Sequence, residues 1–155
     1  MWNRKKSVTL SIAVCFAVCV ILTAGLFLGP WAVKMWLHYY RGWDLESVAM
    51  KRMIILFKTC FYPSAVLGYV TLHSLLRLLR NIQKDAIFIT PNVRYLRRIS
   101  WCCLAVAVIT LIAGAFYIPY LFMSVAAGFV GLMLRVVKNV MESAVEIKAE
   151  NELTI

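Results

Sequence analysis

Arg77, Arg80, Lys84, Arg94, Arg97 and Arg98 place six cationic side chains within 22 residues that hold a single acid, Asp85. Guanidinium and ammonium groups at this density can neutralise phosphate or carboxylate, but they supply neither nucleophile nor base at neutral pH. Binding is therefore the chemistry expected here, with Phe88 and Asn92 of the same stretch among the candidate contacts. Two more ionisable groups, Lys58 and His73, interrupt an otherwise apolar run. Charge is costly in lipid, which makes both candidates for a functional polar group. Each also sits near an end of its run, so a snorkelling lysine and a neutral, hydrogen-bonded histidine are the competing readings.

Other chemistries find less support. His38, Asp44 and Glu46 lack a fourth ligand at a recognisable spacing for a metal. Cys15, Cys19 and Cys102 with His73 could bind a soft metal, yet cysteine is also a common small apolar residue, and no metal or cofactor is assigned. None of the five cysteines forms a C-x-x-C pair, and disulfides are not expected. A P-loop, a G-x-S-x-G elbow and an H-E-x-x-H helix are all lacking, so the chain is expected not to be an enzyme. No Asp or Glu falls inside an apolar run, which disfavours proton-coupled transport.

The elements that must carry these residues are membrane helices. The 155 residues are 63% hydrophobic and 15% charged, against roughly a quarter charged in soluble domains. Residues 7–33 carry no charge, 53–76 only Lys58, and 99–134 none. Each window exceeds the roughly 18 apolar residues that mark a spanning helix. The first follows Arg4, Lys5 and Lys6 as a secretory signal would, but its run to Trp31 is longer than an h-region and is expected to remain as a span. Residues 99–134 are too many for one crossing. Pro119 breaks them at a tip of Phe116 to Tyr120, where two tyrosines suit an interface. The expected spans are about 8–33, 53–76, 97–116 and 120–137, with a re-entrant hairpin as the alternative for the last two. The fold class is all-α, a polytopic membrane protein with four transmembrane helices.

Twelve cations flank one side of these spans: three at the N-terminus, six in 77–98, and Arg135, Lys138 and Lys148. Five lie on the other: Lys34, Arg41, Lys51, Arg52 and Lys58. That asymmetry predicts both termini and loop 77–98 in the cytoplasm of a multi-pass cell-membrane protein. The net charge of +10 then points to membrane lipids rather than to direct nucleic-acid contact. Gly25 with Gly29, Ser124 with Gly128 and Ala127 with Gly131 are spaced four apart. Such small residues read as packing faces within the chain, with a homo-oligomer interface as the alternative. Residues 34–52, with Trp36, Tyr39, Tyr40 and Trp43, read as a solvated and partly interfacial outer loop.

On the cytoplasmic side, 75–82 should prolong the second span as a helix, break at 84–89, and restart with Thr90 as N-cap and Pro91 as first helical residue. In the tail, 138–155, Val137, Val140, Met141, Ala144 and Ile147 recur near helical spacing beside an acidic row of Glu142, Glu146 and Glu150. The expectation is an amphipathic helix continuing the fourth span. Glu146, Glu150 and Glu152 are its candidate contacts, either with the basic loop or with a cytosolic partner.

Asn81-Ile82, Phe88, Thr90-Pro91-Asn92, Leu96-Arg97-Arg98 and Ile99-Ser100-Trp101, with the closing Glu150-Asn151-Glu152-Leu153-Thr154-Ile155, resemble the signature of a bacterial family, the domain of unknown function 2975. This chain departs from it at Asp85-Ala86-Ile87, where members often have a glycine-containing turn. The resemblance implies a small four-helix membrane protein, often encoded beside a helix-turn-helix DNA-binding regulator, with no catalytic residues to carry over. The expected function is a regulatory membrane protein that engages a cytosolic partner, such as that regulator, through 77–98 and the acidic tail. The alternative is a small transporter or channel subunit for hydrophobic or cationic compounds.

Overall fold

The computed structural model describes residues 4–42, 44 and 46–153, the side chains of residues 4–6, 152 and 153 excepted. The expectations for Trp43, for the Glu152 carboxylate and for the Arg4, Lys5 and Lys6 charges lie outside the described residues, as do Thr154 and Ile155. Four helices follow one another: α1 (Arg4–Arg41), α2 (Val48–Gln83), α3 (Thr90–Gly114) and α4 (Pro119–Leu153). All four are long and apolar enough to cross a membrane, and the protein is a multi-pass membrane protein. Helices suit that solvent because every backbone donor inside a helix is satisfied without water.

Each connection follows from local chemistry. Gly42, at φ +63°, ends α1, and its N–H donates to the His38 carbonyl at 3.1 Å. A residue with a Cβ adopts that conformation only with strain. Ser47 caps α2 by accepting from the Met50 N–H at 3.2 Å. The expected outer loop of residues 34–52 is thereby corrected to the short link between Arg41 and Val48. Lys34 marks where lipid should end, but lysine and its neighbours are compatible with helix, which runs on until Gly42. At the other end of the protein, α3 and α4 turn through residues 115–118, with Pro119 opening α4 where its missing N–H costs nothing. A Cβ on Gly114 would lie 3.2 Å from the Leu121 backbone nitrogen, so this tip needs a glycine.

The helices form an antiparallel row. Helix packing pairs α1 with α2, α2 with α3 and α3 with α4 among the described residues; at the tip end, the Arg41 guanidinium also lies 5.9 Å over the Tyr117 ring. Gly25 and Gly29 of α1 receive the stacked rings of Phe61 and Phe57 from α2, so this small-residue pair packs within the chain. Tyr69 Oη and Thr23 Oγ1 share a hydrogen bond of 2.7 Å at the same interface. Between α3 and α4, Ser100 Oγ donates to the Gly131 carbonyl and Ser124 Oγ to the Ala107 carbonyl, both at 2.8 Å. Gly131 allows this approach: a Cβ there would lie 3.0 Å from Leu104 Cγ. Small residues and hydroxyls replace the hydrophobic drive, which lipid does not supply. Phe27, 80% exposed on α1, and Phe122, 74% exposed on α4, are at home where the solvent is acyl chain.

The paired residues also fix depth. Lys58, 23 residues before Asn81, falls level with Ala115, 23 residues after Asn81's partner Asn92, and so lies at the height of the tip. His73, eight residues before Asn81, falls level with Ser100, close to the first arginines of the opposite end. Both side chains are exposed. They are about 22 Å apart along α2, too far to exchange a proton directly.

Candidate functional site

The basic end is built on a rigid turn. At the end of α2 the Ala86 N–H donates to the Asn81 carbonyl at 3.0 Å and the Asp85 N–H to the Ile82 carbonyl at 3.1 Å. That pair of bonds is a Schellman closure, whose left-handed position is usually glycine. Here Asp85 occupies it at φ +60°. Aspartate tolerates this region better than most side chains, which accounts for the departure from a glycine-containing turn.

Asn92 locks the turn to α3. Its Nδ2 donates to the carbonyls of Ala86 at 2.9 Å and Ile87 at 2.7 Å, while its Oδ1 accepts from Asn81 Nδ2 at 2.7 Å. The residue is wholly buried. Its expected role as a surface contact is therefore corrected: it positions the loop and presents nothing to a partner. The expected N-cap is corrected too, since Thr90 is already helical and Ile89, with extended backbone, holds the cap position without a side-chain bond. A capping oxygen would have little left to satisfy. Pro91 has no N–H, and the Asn92 N–H already donates to the Ile89 carbonyl at 3.0 Å.

From this fixed start α3 presents an outward stripe of Arg94, Arg97, Arg98 and Trp101, all exposed. Helical periodicity puts these positions on one face, while Val93, Leu96, Ile99 and Ser100 are buried. Arg135 of α4 lies over Trp101, its guanidinium carbon 4.9 Å from the ring centroid. Arg97 Nη2 donates to Glu142 Oε1 at 2.9 Å, and Lys138 Nζ pairs with Glu142 Oε2 at 2.6 Å. One tail carboxylate thus bridges two cations from two helices. The hydrogen bond from Lys138, with the charges of Lys138 and Arg97, holds the Glu142 carboxyl below the usual carboxylate range against a smaller upward push from desolvation.

Two cavities flank the stripe. One of about 230 Å³ is lined by Arg97, Ser100, Trp101, Arg135 and Lys138. The other, about 650 Å³, joins Arg94, Arg97, Arg98 and Trp101 to Leu67, Cys102 and Ala105. The remaining expected residues are spread around this centre. Arg77 and Arg80 are exposed on the last turns of α2, Lys84 caps it, and Phe88 is half exposed on the turn. Glu146 and Glu150 lie exposed further along α4. Lys58 and His73 line neither cavity. Glu142, Arg135 and Lys138 were not among the expected contacts. The four-residue spacing of Lys138 and Glu142 was the available signal; the choice of Arg97 as third member needed the register of α3 on α4.

Past this contact α4 overhangs. Thr90, ten residues before Ser100, falls level with Met141, ten residues after Gly131, so the twelve residues from Glu142 to Leu153 extend beyond the start of α3. At 1.5 Å per residue that is about 18 Å of helix. Val140 and Ile147, seven apart and 66% and 58% exposed, share one of its faces.

A family model described as a protein of unknown function, DUF2975, matches residues 6–155. No curated protein and no solved structure matches the chain.

Proposed function

Because the chain belongs to the DUF2975 family, whose function is unknown, we propose from its physical features that it is a non-enzymatic regulatory protein of the cell membrane. In this reading both termini and the basic end face the cytoplasm, as the twelve-to-five asymmetry of flanking cations favours. There the protein holds a cytosolic partner. The observation that carries the proposal is the overhang of α4, a helix beyond the expected lipid boundary with apolar Ile147 uncovered beside Glu146 and Glu150, and Val140 uncovered on the same face just before it. An amphipathic helix with an acidic flank suits a basic partner with an apolar groove. A small DNA-binding regulator of the helix-turn-helix kind has that chemistry. Arg97 and Lys138 restrain the base of the overhang through Glu142, so partner and basic stripe act on one helix.

Co-purification from native membranes in mild detergent tests this. The intact chain should recover a soluble basic protein. A chain ending after Val140, and the double variant Glu146→Lys, Glu150→Lys, should each lose it. Equal recovery with all three forms, or no soluble protein above background with the intact chain, would refute the proposal.

A further inference from the structure

The cavities on either side of Trp101 have a property the partner reading leaves unused: cations converge on them at the depth where acyl chain gives way to head group. Arg97, Arg135 and Lys138 surround the smaller cavity, and Arg94 and Arg98 join Arg97 around the larger. Against these five positive charges the ion pairs among the described residues set the carboxylate of Glu142, bound to two of them. The cluster keeps a local excess of about four charges. The height is set independently, because Leu76, five residues before Asn81, falls level with Arg97, five residues after Asn92. Arg77, the next residue, is the first charge after the apolar part of α2.

The shape is equally specific. α2, α3 and α4 come together around Cys60, Val106, Thr110 and Tyr120, and Trp101 with the residues in register with it lies on the opposite, outward face of α3. Its basic end is charged, with Arg97, Arg135 and Lys138 on the wall of the smaller cavity. Towards the tip this face turns apolar through Ala105 and Val108, with Cys102 and Leu67 of α2 beside it. Trp101 stands at the change, its ring already holding Arg135 in place.

We propose that this face of α3, with the two cavities that flank it, is a binding site for an anionic phospholipid. The phosphodiester lies between Arg97, Arg135 and Lys138, and an acyl chain runs along the outward face of α3 over Trp101 and Ala105, beside Leu67 of α2. Guanidinium groups recognise phosphate oxygens bidentately, and basic pockets between membrane helices are suited to such head groups. In the lipid-free state Glu142 supplies the anion for Arg97 and Lys138. The bound phosphate takes over that role. The site is independent of whether α4 docks a cytosolic protein.

The test is lipid retention by the purified full chain, read by native mass spectrometry after exchange into mixed micelles of phosphatidylglycerol and phosphatidylcholine. The intact protein should retain one phosphatidylglycerol in preference to phosphatidylcholine. Arg135→Gln and Lys138→Gln should each weaken retention by about fivefold. Glu142→Gln should strengthen it, a gain that misfolding would not produce. Lys34→Gln, at the opposite end, should leave it unchanged. Equal retention of the two lipids, or indifference to Arg135→Gln, Lys138→Gln and Glu142→Gln alike, overturns the proposal. So does displacement by soluble glycerol phosphate as readily as by the lipid, since the cluster would then bind free phosphate without a chain.

Discussion

Replacing Asn92 by alanine should unlock the basic end without disturbing the spans. The side chain makes three hydrogen bonds, donating to the Ala86 and Ile87 carbonyls and accepting from Asn81. At about 1 kcal/mol net for each bond, the loss is about 3 kcal/mol, rising further if the buried carbonyls find no water. Asn81→Ala removes only the third bond and should cost about 1 kcal/mol. Asn92→Asp keeps the shape but sets an acceptor against two carbonyls, and should cost at least as much as alanine. Hydrogen exchange of detergent-solubilised protein reads the effect locally. For Asn92→Ala, amides of residues 84–92 should exchange about 100-fold faster, since each 1.4 kcal/mol of opening free energy is tenfold in rate. Amides in the middle of α3 should keep their protection. Exchange in the turn within threefold of the parent protein would refute the assignment of Asn92 as its lock.

Three other outcomes are expected. Asp85 sits at φ +60°, so Asp85→Val should destabilise the turn by about 1–2 kcal/mol while Asp85→Gly is tolerated, read by the same exchange experiment. A Cβ at Gly131 would meet Leu104 at 3.0 Å and Cys103 at 3.3 Å, so Gly131→Val should separate α3 from α4 and lower the thermal midpoint in detergent, whereas Ser100→Ala should cost only about 0.6 kcal/mol, a typical interhelical bond in lipid. The Glu142 carboxyl titrates below the ordinary value of 4.5 in the folded protein; its contribution is therefore present above that value and lost as pH falls through the lowered one. Spin labels at residues 94 and 143, which leave Arg97, Lys138 and Glu142 in place, should report an unchanged distance from neutral pH down to about pH 4.5 and a broader one only at lower pH; broadening near pH 6 would contradict the ion pair.

What the sequence made legible was decided by polarity along the chain. Four spans, the tip before Pro119 and the helical tail from Val136 onward can be read because lipid imposes long charge-free windows and proline forbids an uninterrupted helix. Charge marks the end of lipid, though, not the end of a helix. That is why Lys34 looked like the start of a loop while α1 continued to Arg41. Asn92 was hidden for a different reason: a lone asparagine in a basic stretch reads as solvated, and only the Schellman turn shows that two carbonyls needed its amide. Arg97, Arg98 and Arg94 were legible as binding chemistry. Their partners on α4 were not, because a contact 45 residues away in sequence depends on a register set by Ser100, Ser124 and two glycines.

The row arrangement links these particulars. α1 and α4 do not pack along their lengths among the described residues, and they approach near the tip, where Trp36, Arg41 and Tyr120 line one cavity. α3, the shortest helix at 25 residues, is held on both sides by longer neighbours. Its brevity leaves α4 to overhang, and its outward face carries Arg94, Arg97, Arg98 and Trp101. Glu142 stands where these two features meet, at the first residue of the overhang and bound to Arg97 of that face. Arg97 thus ties the cationic face of α3 to the helix on which Glu146 and Glu150 are carried.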